Sequence, residues 1–303
     1  MPIVSRDHPE PPPSKPHEAR RMAESFGVDA QRYDQARPGY PAALVTRIIN
    51  GTRRPDVHDI GPEPLGPDPH VHDTGPGTPG THPHVLDVGC GTGIAARQFQ
   101  AAGCTVLGVE PDARMAAFAQ SRGLNVEVAT FEAWQPAGRT FDAVVAAQSW
   151  HWVDPSTGAT KAAQVLRPGG RLAIFGHAYE PPAEVAEPFA AAFRQAAPDS
   201  PFHNGPARRP LDLYRAAYAK VAGTINETGH FGETEQWHFD WQQSYTRDQW
   251  LALLPTTGGL TSLRPGQLTG ILNAVGDAID SLGGRFTMNY TTLAVTAVRH
   301  GTI

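Results

Sequence analysis

The residues with the densest chemical potential lie between positions 85 and 93, Val-Leu-Asp-Val-Gly-Cys-Gly-Thr-Gly. A carboxylate, Asp87, stands two places ahead of Gly89, which Gly91 and Gly93 follow at alternate positions, with Cys90 between the first two. Glycines so spaced let bare backbone close on a ligand that side chains would obstruct. If a helix opens just after them, the ligand also meets unpaired N–H groups. Spacing then separates ligand classes. A dinucleotide loop wants Gly-x-Gly-x-x-Gly or Ala, whereas here the third glycine comes one residue early and Ile94 takes the last position. An acid at the strand end would organise the loop and a cationic ligand, where it would oppose a pyrophosphate.

The elements that must position this loop can be read from hydrophobic runs and punctuation. Residues 85–88 read as a buried parallel strand and 94–102 as a helix. A second strand spans 104–109 and ends in Glu110, a helix over 112–121 is closed by Gly123, and a third strand covers 126–129. A fourth strand, 141–147, leads into Gln148, Ser149, Trp150, His151 and Trp152. A helical stretch then stops at Leu166-Arg167-Pro168-Gly169-Gly170, where proline ends the helix and two glycines permit reversal into a strand over 171–176. Beyond Tyr179 come helical pieces at 182–197 and 208–221, a strand at 235–241, helices at 246–254 and 267–282, and a closing strand at 285–299 with Phe286, Met288 and Tyr290 alternating. Strands alternating with helices predict an α/β fold, a doubly wound sheet with its ligand at the carboxyl ends of the first strands.

The pattern D-x-G-x-G-x-G resembles motif I of the class I S-adenosylmethionine-dependent methyltransferases, and the segment after the fourth strand and the Leu-Arg-Pro-Gly-Gly turn resemble later family motifs. Upstream, Ser25-Phe26-Gly27 and Tyr33-Asp34-Gln35-Ala36-Arg37-Pro38-Gly39-Tyr40-Pro41 are similar to the opening of the subgroup that includes trans-aconitate methyltransferase-like enzymes. The resemblance covers about residues 25–299 once one insertion is removed. It implies a Rossmann-like seven-stranded sheet with an antiparallel last strand and a helical cap, S-adenosyl-L-methionine as cofactor, and a methyltransferase acting by in-line displacement. It also implies a site: Asp87, Gly89, Cys90, Gly91 and Gly93 in the loop, Glu110 with Pro111 at the ribose, Thr130 and Phe131 at the adenine, and Gln148, Tyr33 and Arg37 completing the cofactor contacts. Family members often carry an acid where Thr130 stands, so adenine readout here would rest on backbone groups and the Phe131 ring. The opening segment would fold over the cofactor. Its aromatic rings suit a sulfonium, and Arg37 suits the methionyl carboxylate or an acidic substrate, although Phe26, Tyr33 and Tyr40 would equally serve as the apolar face of a lid helix.

The chain divides on this reading into a disordered tail over 1–22, a lid segment over 23–50, a disordered insertion over 51–84, a cofactor-binding core over 85–180, and a cap with completing strands over 181–303. The insertion is rich in proline, glycine and histidine, and repeats in steps of 14: Pro55-Asp56-Val57-His58-Asp59-Ile60-Gly61, Pro69-His70-Val71-His72-Asp73-Thr74-Gly75, and then residues 83–89 themselves. Two decayed copies of the loop segment account for it. Its histidines lack the paired spacing that fixes a metal geometry, so no metal site is expected.

With 303 residues, 40% hydrophobic and 18% charged, the chain can bury a sizeable core. A net charge of −5 and no long basic run argue against nucleic acid. No apolar run reaches membrane length, so a cytoplasmic protein with a small-molecule substrate and no membrane partner is expected; oligomeric state is not legible. Cys90 and Cys104, without metal spacing, read as small buried residues.

A sulfonium methyl is already activated, so transfer needs alignment more than acid or base. A carboxylate acceptor needs no base. For an amine or hydroxyl, His151 is the candidate general base, and the competing reading makes it pocket wall with Trp150 and Trp152. Trp237, Trp241 and Trp250 would line a pocket or simply fill an amphipathic core. A non-catalytic S-adenosylmethionine-binding protein with an interaction role is the alternative to the enzyme.

Overall fold

The structure, a computed structural model, describes residues 26–52, 82–198, 209–257, 259–261 and 263–301. The expected tail and nearly all of the 51–84 insertion, including its repeats and three of its five histidines, lie outside the described residues.

Apolar five- to seven-residue runs bounded by glycine become the inner strands. β1 (His84–Val88) is followed by α3 (Ile94–Ala101), β2 (Thr105–Glu110), α4 (Ala113–Ser121), β3 (Asn125–Val128) and β4 (Phe141–Ala147). Preceding them are α1 (Ala30–Ala36) and α2 (Ala42–Asn50); following them are α5 (Pro155–Val165), β5 (Leu166–Glu180), α6 (Ala183–Ala196), α7 (Pro210–Glu227), β6 (Glu235–Thr246), α8 (Arg247–Leu253), α9 (Pro265–Ser281) and β7 (Arg285–Val298). Helix starts follow local capping chemistry. Asp112 accepts from the Arg114 amide, Asp154 from Thr157, and Thr246 with Gln249 forms a reciprocal capping box.

The sheet has seven strands in the order β3-β2-β1-β4-β5-β7-β6. Pairings from β3 through β5 are parallel, and β7 runs antiparallel to both β5 and β6. The expected doubly wound sheet with its antiparallel last strand is therefore present. The chain leaves β1 toward β2 on one side and later returns to β4 on the other, so the crevice beyond the carboxyl ends of β1 and β4 is where such a sheet takes a ligand. Ser149 holds that crevice in shape, its hydroxyl donating to the Val88 carbonyl at 2.5 Å.

One core fills each face of the sheet. Leu86, Val144, Leu172 and Val295 pack with Phe131, Trp134 and Trp150 under α5 and α7, while Val85, Val145, Ala173 and Phe175 pack with Leu44, Ile48 and Phe99 of α2 and α3. A third core stands beyond the strand ends: Val185 and Phe193 of α6, Trp250 and Leu253 of α8, and Ile271, Val275 and Ile279 of α9 close on Phe286, Met288 and Tyr290. This is the cap. α1 bridges it to the loop helix, since Arg32 donates to the carbonyls of Leu251 and Ala252 and Asp34 pairs with Arg97 of α3 at 2.5 Å.

Three expectations need correction. The Leu-Arg-Pro-Gly-Gly turn is absorbed into β5: Leu166 already pairs with Phe141, the register shifts before Arg171 meets Ala143, and Gly169 takes φ 76° while exchanging backbone hydrogen bonds around Arg299. The glycines make a bulge inside a strand where a turn was expected before one. The helix expected over 208–221 is described over Pro210–Glu227, and the strand expected over 235–241 runs to Thr246 because β7 offers an equally long partner. Among the described residues, no helix is long and apolar enough to cross a membrane, and no cluster of three or more His, Cys, Asp or Glu side chains is arranged to hold a metal.

Candidate functional site

The loop after β1 is built by its three glycines. Gly89, Gly91 and Gly93 take φ values of 64°, 56° and 85°, a region that costs other L-residues roughly 1–2 kcal/mol. They differ in what surrounds them. A side-chain carbon at Gly89 would meet Ser149 Cβ at 2.6 Å, and one at Gly93 would lie 2.0 Å from Leu124 Cδ1, so both positions are pressed against protein. At Gly91 the nearest atom would be Met115 Cε, 3.8 Å away. At Gly91 a side chain would meet only an ordinary van der Waals contact, so this position alone of the three is not pressed against protein. Gly91→Ala is expected to cost about 1–2 kcal/mol of stability through φ alone, yet to weaken cofactor binding as well. Gly93→Ala should unfold at a lower temperature still, because its side chain would meet Leu124, while the folded fraction keeps its affinity. Thermal melts with parallel binding titrations check the pair, and equal losses of affinity at equal stability would remove Gly91 from the site.

Cys90 turns inward. Its sulfur occupies the space above Gly108 of β2, 2.6 Å from where a Cβ there would stand, and burial raises its pKa. Any contact of Cys90 with a ligand is through backbone.

Two acids meet beneath the loop. Glu110, at the end of β2, accepts from the Gly91 amide at 2.8 Å through Oε2 and from the Asp112 amide at 3.0 Å through Oε1. Asp87 is fully buried, and neither of its oxygens has a hydrogen-bond partner. Burial first and the neighbouring Glu110 second push its pKa up to about 8, with the nearby Ala96 amide opposing them without satisfying either oxygen. Burial also raises Glu110, but its two amide donors oppose that shift. Asp87 therefore keeps its proton at neutral pH, while the two amide donors favour the charged form of Glu110 against its burial. A buried carboxyl with no partner is a standing cost that a cationic ligand group removes.

Beyond the loop the expected residues divide. Pro111 is exposed beside Asp112, and Thr130 is half-buried, closing its own turn by accepting from the Ala133 amide. The Phe131 ring is corrected: it is 3% exposed and packs with Trp134 and Trp150 in the core, so it offers no face to an adenine. Trp150 is corrected in the same way, from substrate pocket to core, at 4% exposure. Both rings go inward because the residues after β3 and β4 cross over the apolar face covered by α5. Trp152 is half-buried against His151, ring centroids 4.4 Å apart. His151 is exposed but stands in a protein-crowded position whose desolvation lowers its pKa to about 4. It does not line the cleft described next. Trp237 and Trp250 are core residues, whereas Trp241 stacks on Tyr290 with centroids 4.3 Å apart.

A cleft of about 50 Å³ lies between the lid segment, the end of β4 and the cap. Tyr33 and Arg37, two of the expected cofactor contacts, line it with Gln148. Gln148 holds an unusual φ of 55°, and its Oε1 accepts from the His177 amide at 2.7 Å. Arg37 is anchored through Nε to Thr256 Oγ1 at 3.0 Å and stands 5.1 Å from the Tyr33 ring centroid. Sequence reasoning missed four further lining residues: Tyr40, His177, Tyr179 and Tyr290. The signal for His177 was present, a lone ring nitrogen pair in the apolar run Leu-Ala-Ile-Phe-Gly-His-Ala. Burial raises the pKa of Tyr40, Tyr214, Tyr245 and Tyr290, and Arg37 opposes the rise in each.

Residues 86–174 match the family described as methyltransferase domain. Two proteins named as uncharacterized methyltransferases, from Mycobacterium bovis and Mycobacterium tuberculosis, are each 31% identical over 160 residues, covering 51% of this chain and 53% of theirs. The chain thus spans about half the length of the curated relatives it matches. A solved structure of a candidate type II methyltransferase from Anaeromyxobacter dehalogenans superposes with a TM-score of 0.57 at 20% identity, covering 88% of this chain and 99% of that one. That likeness speaks to the fold. Residues 86–174 are thus similar to the methyltransferase-domain family, and the chain carries them on a doubly wound Rossmann-like sheet.

Proposed function

We propose that this chain is an S-adenosyl-L-methionine-dependent methyltransferase that transfers a methyl group to a small-molecule acceptor. The observation that carries the reading is the buried, unpartnered Asp87 carboxyl beneath a glycine loop that is not pressed against protein at Gly91. That pairing fits a ligand with a cationic group and a nucleoside body. The residues present suit the cofactor at three points, with Asp87 and the loop amides opposite its charged end, Glu110 at its ribose, and Tyr33, Arg37 and Gln148 over it, while the adenine is left to backbone groups because the Phe131 ring is in the core.

When bound, the cofactor supplies an activated sulfonium methyl, so the protein's work is alignment and exclusion of water. Gln148 and Tyr40 set the far wall, with Tyr40 stacked on His177 at 4.5 Å. α1 closes the near side, held by the Arg32, Asp34 and Arg37 contacts. His151 is exposed and does not line the cleft, so it is not placed to take a proton from an acceptor held there. His151→Ala is accordingly expected to lower kcat by less than about tenfold, whereas loss of a general base costs roughly 10²–10⁴. A kcat loss above 10³ with unchanged KM would restore it as the base.

The reading is tested by incubating the protein with methyl-labelled S-adenosylmethionine and a small-molecule extract. Label should pass to a new low-mass product. Confirmed cofactor binding without transfer to any low-mass compound would contradict it.

A further inference from the structure

His177 presents an unmet hydrogen bond to the cleft. Its ring is 5% exposed, stacked on Tyr40 and edge-on to Trp241 and Tyr290. Nδ1 lies 2.9 Å from Thr292 Oγ1, and the same oxygen accepts from Trp241 Nε1 at 2.9 Å. Thr292 is fully buried, so its hydroxyl proton needs an acceptor, and among the described residues the one within reach is His177 Nδ1. Donation from Thr292 fixes the ring as the Nε2–H tautomer. Nε2 itself is buried with no hydrogen-bond partner; the Gly39 carbonyl approaches the ring without meeting it at hydrogen-bond geometry. A buried donor left so costs free energy that an acceptor on a ligand recovers.

Arg37 lines the same cleft, and among the described residues no carboxylate does. Burial, with Arg37 nearby, lowers the His177 pKa to about 3. The ring therefore stays neutral and serves as a fixed donor.

Resting on the methyltransferase reading, we propose that His177 Nε2–H and the Arg37 guanidinium form a two-point receptor for a carboxylate inside the aromatic cleft. The carboxylate has two possible sources, the methionyl end of the cofactor or an acidic acceptor. To an ammonium the described lining residues offer ring faces but no carboxylate, and Arg37 repels it.

The test uses the full chain and His177→Phe, which keeps the stacking and removes the donor, with His177→Gln as a variant that retains one. S-adenosylhomocysteine and 5′-methylthioadenosine, which lacks the amino-acid end, are titrated into each protein. Phenylacetate, octanoate and succinate are then compared with their amides in the presence of S-adenosylhomocysteine. If the cofactor supplies the carboxylate, His177→Phe loses about tenfold or more for S-adenosylhomocysteine and nothing for 5′-methylthioadenosine. If the acceptor supplies it, both nucleosides bind as in the wild type while an acid loses its advantage over its amide, and His177→Gln restores part of it. His177→Phe matching the wild type for every ligand overturns the receptor. Nitrogen-15 spectra of the wild-type imidazole provide a check that needs no variant: an Nδ1–H tautomer would equally overturn it. Failure of the wild type to bind S-adenosylhomocysteine at all would instead sink the methyltransferase reading.

Discussion

Asp87→Asn is expected to make the free protein more stable and unable to hold its cofactor. The Asp87 carboxyl has an ordinary pKa of 3.8 in the unfolded chain and about 8 in the folded one. Between those values the unfolded state has lost a proton that the folded state keeps, so stability falls as pH rises from about 4 to 8. At pH 7 the difference spans roughly three pKa units, on the order of 4 kcal/mol. Asparagine carries no such term. Its melting temperature should exceed that of the wild type near pH 8, and the two should converge toward pH 4. Cofactor affinity should move the other way, because a neutral amide cannot oppose a cation. Melting curves of both proteins at pH 5 and 8 with a binding titration read both effects; a stability difference between wild type and Asp87→Asn that does not change across that range would remove the buried, protonated Asp87.

Glu110→Ala should act through two losses at once. It leaves the Gly91 and Asp112 amides without the acceptors that hold the loop at 2.8 and 3.0 Å, and it removes the acid assigned to the ribose. Charge-assisted pairs of this kind contribute about 2–4 kcal/mol together, which corresponds to a 30-fold to several-hundred-fold loss of cofactor affinity. The residue is 7% exposed, so a stability loss is expected beside it. Calorimetry on the folded variant separates the two, and unchanged affinity would take Glu110 out of the site.

Much of the fold was legible because its signals are local. Apolar runs of strand length and glycine stops located β1 to β4 and the helices α3 and α4 to within a residue or two, and alternation of the two types implied the doubly wound order. What misled were positions whose role is set by the neighbour. Leu166–Gly170 carries proline and glycines that spell a turn, yet β4 and Arg299 hold it in strand register. Phe131 and Trp150 follow strand ends where ligands are met, but the chain there folds over an apolar face that takes the rings inside.

The site was half legible for the same reason. Asp87, the glycines and Glu110 lie within 24 residues, and their geometry follows from one strand-turn-helix-strand unit. Tyr40, His177, Tyr179 and Tyr290 reach the cleft from a lid segment and two strands far apart in the chain. No spacing rule joins them. Only the antiparallel pairing of β5 with β7 sets Tyr179 opposite Tyr290 and His177 opposite Thr292.

The measurement that bears most directly on the account is titration of S-adenosylmethionine into the wild-type protein at pH 7, in two buffers of different ionisation enthalpy, with NADH as a parallel ligand. The predicted result is saturable single-site binding of S-adenosylmethionine with release of close to one proton, as Asp87 ionises against the bound cation, and no binding of NADH. Absence of saturable binding, or preference for NADH, would contradict the central claim.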